Sequence, residues 1–219
     1  MLSVGARRVD PSQAQAWIAR HSQSGANGWP NYDRYDSGTD DTSLSEPDLL
    51  APALLNVPIT LDTFPGLRKR LPQLNTALRS VPRNAALSAA DVSGPHLRLA
   101  DDAELAAAAA AFSVLDQDRP TGVRLTKLAK ILHRKRPRLL PLYDQYVRVC
   151  YCLPDEGVAA AVPPVRGRSY VAFVAELMQA MRQDLRDPRW RELDLPEGMT
   201  TLRALDIVAW HVGQVRRTA

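Results

Sequence analysis

TGVRLTKLAKILHRKRPRLLPLYDQYV, residues 121–147, combines helical spacing, a basic corner and a proline-bounded turn in one run. Leu125, Leu128, Ala129 and Leu132 recur at steps of three and four, which gathers them on one apolar face of an α-helix. Lys127, Lys130 and Arg134 follow the same steps on the other side, so three cations are expected to share a solvent face. Arg134, Lys135 and Arg136 end that helix. Pro137 and Pro141 then bracket a short extended piece, because the residue before a proline avoids helical geometry. A second helix resumes near Tyr143, with Asp144 just past the turn. The unit is helix, basic corner, turn, helix.

Outward from this unit the chain keeps the same character. Asp10 followed by Pro11 is a helix start, with aspartate as N-cap and proline at the first helical position. That helix is expected to run to about Ser24 and stop at Gly25. Residues 25–44 read as a long ordered loop, rich in Gly, Asp and Asn and carrying Trp29, Tyr32 and Tyr35. Ser45 opens a second helix, with Asp48 reaching back in a variant of the capping box. Short helices broken at Pro65 and Pro72 fill residues 60–81, and the stretch 82–100, with Gly94 and Pro95, is a surface loop or lobe boundary. Residues 101–116 are alanine-rich with acids at the positive N-terminal end, a strong helix signal. Val171, Val174, Ala175, Met178, Met181 and Leu185 repeat at helical spacing. So do Leu202, Leu205, Val208, Ala209 and Val212. No strand of useful length shows period-two alternation, so the fold class is all-α. The expected organisation is one compact multi-helix domain over 1–219. Lobes at 45–100 and 101–219 would flank a cleft, with the helix from 10 to 24 packing across them.

With 45% hydrophobic residues the chain of 219 residues has ample material for a core without staples. Two cysteines, Cys150 and Cys152, are too few for a structural zinc site. His21, His96, His133 and His211 are scattered without metal-ligand spacing, so neither metal nor cofactor is expected. No P-loop, G-x-G-x-x-G or G-x-S-x-G occurs, which removes the common nucleotide and hydrolase readings. The first ten residues lack an apolar run, and the apolar stretch 105–115 is too short to span a bilayer. A cytoplasmic protein with no membrane partner is therefore expected.

Net charge is only +4, but its distribution is uneven. Between Pro30 and Asp62 there are seven acidic residues and one basic residue; between Arg119 and Arg148 there are nine basic residues and one acidic residue. Segregation of this kind offers a positive face to an anionic partner. Alternatively, the two patches meet each other inside the fold. Candidate phosphate or other anion ligands are Lys127, Lys130, Arg134, Lys135, Arg136 and Arg138. Asp144 is the candidate catalytic carboxylate, with helix capping as its structural alternative. Tyr32, Asp33, Tyr35, Asp36 and Tyr143 are candidates for a pocket rim, and the acidic loop otherwise simply packs on the basic segment. A lysine acting as a Schiff-base nucleophile, at Lys127 or Lys130, is a further option.

Gly122-Val123 with Lys127, and Pro141 with Asp144, resemble the hairpin and the proline–aspartate step of the helix-hairpin-helix DNA glycosylase superfamily. Here the second hairpin glycine is replaced, and two residues separate Pro141 from Asp144. The resemblance implies a glycosylase-like helical fold, backbone and lysine contacts to nucleic-acid phosphates, and base-excision chemistry at Asp144. Separately, YDRYD (32–36), SEPDLLAPALL (45–55), KILHRKRPRLLPLYD (130–144) and LRALDIVAW (202–210) resemble a bacterial, largely actinobacterial, family of unknown function. The sequence therefore suggests a nucleic-acid-associated protein. The alternatives are an enzyme of the same fold acting on a small anionic metabolite near Asp144, and a non-catalytic interaction module.

Overall fold

The computed structural model describes residues 1–23, 30–38, 40–155 and 157–218. Asp10 caps α1 (Pro11–His21) by accepting from the Ser12 N–H at 2.8 Å, and Pro11 takes the first turn as expected. The expected helix end at Ser24 and Gly25, and Trp29, lie outside the described residues. A short α2 (Pro30–Asp33) follows.

The helix opened by Ser45 is a 3-10 helix, Pro47–Leu55, and not an α-helix. Pro52 sits inside it and has no N–H to give an α-type bond. Asp48 does reach back, accepting from the Ser45 N–H at 2.7 Å. The prolines at 65 and 72 start helices where breaks were expected. They fall in the first turns of α3 (Thr63–Lys69) and α4 (Leu71–Ser80), where an N–H has no intrahelical partner.

The alanine-rich stretch forms α5 (Asp102–Ala110) behind a complete capping box of Asp101 and Glu104, and then, after a turn, α6 (Val114–Gln117). The central unit supplies α7 (Leu125–His133) and α8 (Gln145–Cys152). The chain closes with α9 (Tyr170–Asp184), a short 3-10 turn at Pro188–Glu192 and α10 (Thr201–Thr218). The fold is all-α in class.

Two small pairs of strands accompany the helices. β1 (Leu2–Val4) and β2 (Arg7–Val9) form an antiparallel hairpin, and β3 (Ala85–Ala86) pairs in parallel with β4 (Arg98–Leu99). The hairpin turns through Gly5 and Ala6, both at positive φ, as the favoured two-residue turn requires. Three-residue strands are too short to show alternation in sequence, which is why the sequence gives no sign of them.

One apolar core draws residues from Leu2 through Ala209, from both sides of residue 100. Its most extensive helix pair is α8 against α10. Gly213 makes that approach possible: a Cβ there would lie 2.0 Å from the Tyr146 carbonyl oxygen. Among the described residues no helix is long and apolar enough to cross a membrane.

Candidate functional site

The site is assembled from α7, the turn before α8 and α10. Asp144 is extended at the N-cap of α8, and its Oδ1 accepts from the backbone N–H groups of Tyr146 and Val147 at 2.9 and 3.1 Å. The capping alternative is thus observed, and it uses one carboxylate oxygen. The other, Oδ2, faces Lys130 Nζ at 3.8 Å. Lys130 projects from the middle of α7 and is only 3% exposed. Burial lowers its pKa from the ordinary lysine value, while Asp144 pulls the other way.

α10 brings the other two charged groups. Asp91, at the end of a short 3-10 turn (Ala89–Asp91), caps it from a distance in sequence, accepting from Thr201 N and Oγ1 at 2.6 and 2.8 Å and from Leu202 N at 3.3 Å. Two residues after Thr201, the Arg203 guanidinium is buried and donates to Asp33 Oδ1 at 2.7 Å. It also lies 2.8 Å from His21 Nε2, which accepts from it. Against the cost of burial, Arg203 holds Asp33 well below the ordinary carboxylate range, and burial lowers the pKa of His21. Asp206 follows three residues after Arg203. Its Oδ2 accepts from the Leu142 N–H at 3.2 Å, pinning the turn that leads to Asp144. Among the described residues its buried Oδ1 has no hydrogen-bond partner. Burial raises the Asp206 pKa to about 8, with Arg203 and the Leu142 bond opposing, so this carboxyl is largely protonated at neutral pH.

These groups line a cavity of about 480 Å³, an ordinary size for a small-molecule site. Lys130, Asp144, Arg203, Asp206 and His21, with Asn56, Thr126 and Gln145, supply its polar lining. Trp210 and Tyr146, edge to face at 5.0 Å, form an aromatic wall. Lys130 faces Asp144 across this lining, and Arg203 is paired with Asp33 behind it. The cavity thus holds one buried amine and, opposite it, the Asp144 carboxyl group. Its amine and its carboxylate sit close enough to exchange a proton through a bound molecule or a water.

The six cations proposed for an anion face do not form one exposed stripe. Seven of the nine residues of α7 are buried, Lys130 among them, because the 3-10 helix Pro47–Leu55 and Tyr32 cover its supposed solvent side. The Tyr32 hydroxyl donates to the Lys130 carbonyl at 2.7 Å. Arg134 donates to the carbonyls of Asp33 and Tyr35 and stacks over the rings of Tyr32 and Tyr35. Lys135 is buried against Asp48 at 3.1 Å, and Arg136 donates to the carbonyls of Val81 and Asp41. Lys127 closes the Gly122 turn by donating to its carbonyl at 2.8 Å. Arg138 alone of the six is exposed. Acidic loop and basic segment thus meet inside the fold.

The expected rim is also relocated. Tyr32 is fully buried, and the Tyr35 hydroxyl donates to the Pro47 carbonyl at 2.8 Å. Asp36 accepts from Gly38 N in an exposed turn, and Tyr143 packs edge-on against Phe173. None of these lines the cavity. Asp33 reaches it only through Arg203 and His21.

Arg203, Asp206, His21 and Trp210 were missed as site residues. The signal was present in LRALDIVAW: two opposite charges three residues apart inside an otherwise apolar helix, where buried charges are rare unless paired. Among the described residues, no three His, Cys, Asp or Glu side chains gather as a metal site would require. No curated protein and no solved structure matches the chain. Residues 13–213, nearly the whole chain, match the family described as "Family of unknown function (DUF6308)", and the protein belongs to it.

Proposed function

We propose that this protein is an enzyme acting on a small molecule with an anionic group, bound in the cavity between α7, α8 and α10. The observation that carries this reading is Lys130: a buried amine with a lowered pKa, 3.8 Å from a carboxylate, at the wall of a cavity. Perturbed groups converging in one cleft are a recurring property of catalytic sites. Lys130 serves as base or nucleophile, Asp144 receives or returns the proton, and Arg203 draws the anionic end of the substrate. Asp206, neutral and buried, holds the Leu142 turn that positions Asp144.

The test is a thermal-shift screen of carboxylate and phosphate metabolites against the wild type and Lys130→Met. Ligands that raise the wild-type melting temperature and leave the variant unmoved support the reading. A screen in which no compound separates the two proteins overturns it.

A second reading, nucleic-acid binding with base-excision chemistry, draws on the hairpin-like residues and on the position of Asp144 beside a lysine. In that reading the protein has a helix-hairpin-helix glycosylase-like fold. Lys130, Lys135 and Arg136 are engaged internally, so few cations remain for phosphates and the salt slope of DNA binding is expected to be shallow. A fluorescence titration with single-stranded, double-stranded and abasic DNA at two salt concentrations decides it. Saturable binding with a preference for the abasic strand and only a shallow loss with added salt favours this reading over the first.

A further inference from the structure

On a different face from the Lys130 cavity, with no lining residue in common, lies a recess of about 330 Å³. It is walled by Arg83, Asn84, His96 and the segment 134–138, with Asp41 as the one carboxylate-bearing residue. We infer that this recess is a binding site for a phosphate-type oxyanion, held by Arg83, Arg136 and Arg138.

The first observation is Arg136. It is 4% exposed, and its guanidinium donates to the carbonyls of Val81, Asp41, Lys135 and Leu78 at 3.1, 2.7, 2.7 and 3.3 Å. Those bonds fix its orientation but bring no full negative charge. Among the described residues it makes no ion pair, although buried charges are ordinarily paired. The Asp41 carboxylate acts on it only at longer range, from an exposed position.

The second observation is the company it keeps. Arg83 is near enough to press against the charge of Arg136, and Arg138 borders the same recess. Both are exposed, and among the described residues neither side chain makes a hydrogen bond or ion pair. The arginines come from two separate stretches, the segment after α4 and the turn after α7, which the Leu87 N–H to Arg138 carbonyl bond of 2.8 Å holds together, while β3–β4 ties the first stretch to the segment that follows His96. Arg83 and Arg138 can each offer a charge-assisted fork to a phosphate dianion, while Arg136, with four N–H groups on carbonyls, adds its positive charge and one remaining N–H. His96 borders the recess at its edge. The two other cations of the lining are committed elsewhere, Lys135 to Asp48 and Arg134 to the carbonyls of Asp33 and Tyr35.

The phosphate can arrive free or as the monoester of a metabolite. Calorimetric titrations with inorganic phosphate and with glycerol phosphate distinguish these sources, each run against sodium chloride at equal ionic strength. The expected result is saturable binding of at least one, weakened about tenfold or more, roughly 1.4 kcal/mol, in Arg83→Ala/Arg138→Ala. Both substitutions are at exposed positions and leave Arg136 and its carbonyl partners intact. Lys130→Met is expected to bind phosphate as the wild type does, which separates this site from the proposed catalytic cavity. Heats no larger than those of chloride, or undiminished binding in the double variant, overturn the inference. So does a twelve-nucleotide single strand that binds through the same arginines when neither small phosphate does.

Discussion

Lys130 Nζ and Asp144 Oδ2 face each other at 3.8 Å while the other oxygen of Asp144 holds the first turn of α8. One carboxyl group thus has a structural oxygen and a chemical one, and substitutions separate them. Asp144→Asn keeps an acceptor at the N-cap and is expected to melt close to the wild type while losing ligand-dependent turnover. Asp144→Ala removes both and is expected to cost about 1 kcal/mol besides. Urea melts of the two variants, alongside any activity the metabolite screen reveals, check this. Equal activity in wild type and Asp144→Asn would leave the carboxylate as a cap and nothing more.

Stability should respond to pH with two opposed slopes. Asp206 is raised to about 8 in the fold from an ordinary value of 3.8, so the folded chain keeps a proton that the unfolded chain loses. Its contribution is fully present below about pH 4 and is lost as pH rises toward about 8. His133 runs the other way. Burial, aided by the charge of Arg203 and opposed by its hydrogen bond to the Leu140 carbonyl, lowers it to about 3 from 6.5. Its contribution is present above about pH 6.5 and is lost as pH falls toward about 3. Urea midpoints from pH 4 to 9 should therefore fall less steeply on the alkaline side in Asp206→Asn than in the wild type. If the two curves run parallel, Asp206 is ionised in the fold at neutral pH.

The basic corner makes a prediction about stability where the sequence suggested one about DNA. Lys135 and Asp48 are both buried and lie 3.1 Å apart, linking the turn after α7 to the 3-10 helix Pro47–Leu55. Removing one member of such a pair leaves the other charge without its partner, at a cost of about 3 kcal/mol. Lys135→Ala is expected to unfold at clearly lower urea than the wild type, and Arg138→Ala, at an exposed site, to unfold with it. Similar midpoints for all three proteins would show that the corner is solvated and the pair contributes little.

Residues with strong local signatures were legible from sequence, and residues defined by distant partners were not. Asp10 and Asp144 cap helices, as their local spacing suggests, because a cap depends on the next three residues. Lys130 was correctly placed on α7 but expected to face solvent. Its burial depends on Tyr32 and the 3-10 helix Pro47–Leu55, nearly a hundred residues earlier, and no periodicity inside α7 encodes that cover. Arg203 and Asp206 sat in a helix read for its apolar stripe, so the charges inside the stripe passed unused. The acidic and basic segments were recognised as complementary, and only the tertiary structure shows that they meet.

Gly213 connects the packing of the fold to the geometry of the site. Its Cα lies so close to α8 that an added Cβ would come within 2.0 Å of the Tyr146 carbonyl oxygen, a backbone atom that cannot swing aside. Gly213→Ala must therefore push α8 away from α10 or distort one of them. Overpacking of this kind costs about 1–3 kcal/mol, which outweighs the gain of up to ~1 kcal/mol that alanine brings to a helix interior. The displaced turn of α8 is the one capped by Asp144, and the facing part of α10 carries Asp206 and Trp210 at the cavity wall. The variant is thus expected to lose melting temperature and ligand response together, whereas Asp144→Asn loses only the second. Thermal melts with and without a ligand from the screen measure both at once. A Gly213→Ala protein as stable and as responsive as the wild type would mean that α8 and α10 stand further apart than their contact at Tyr146 requires.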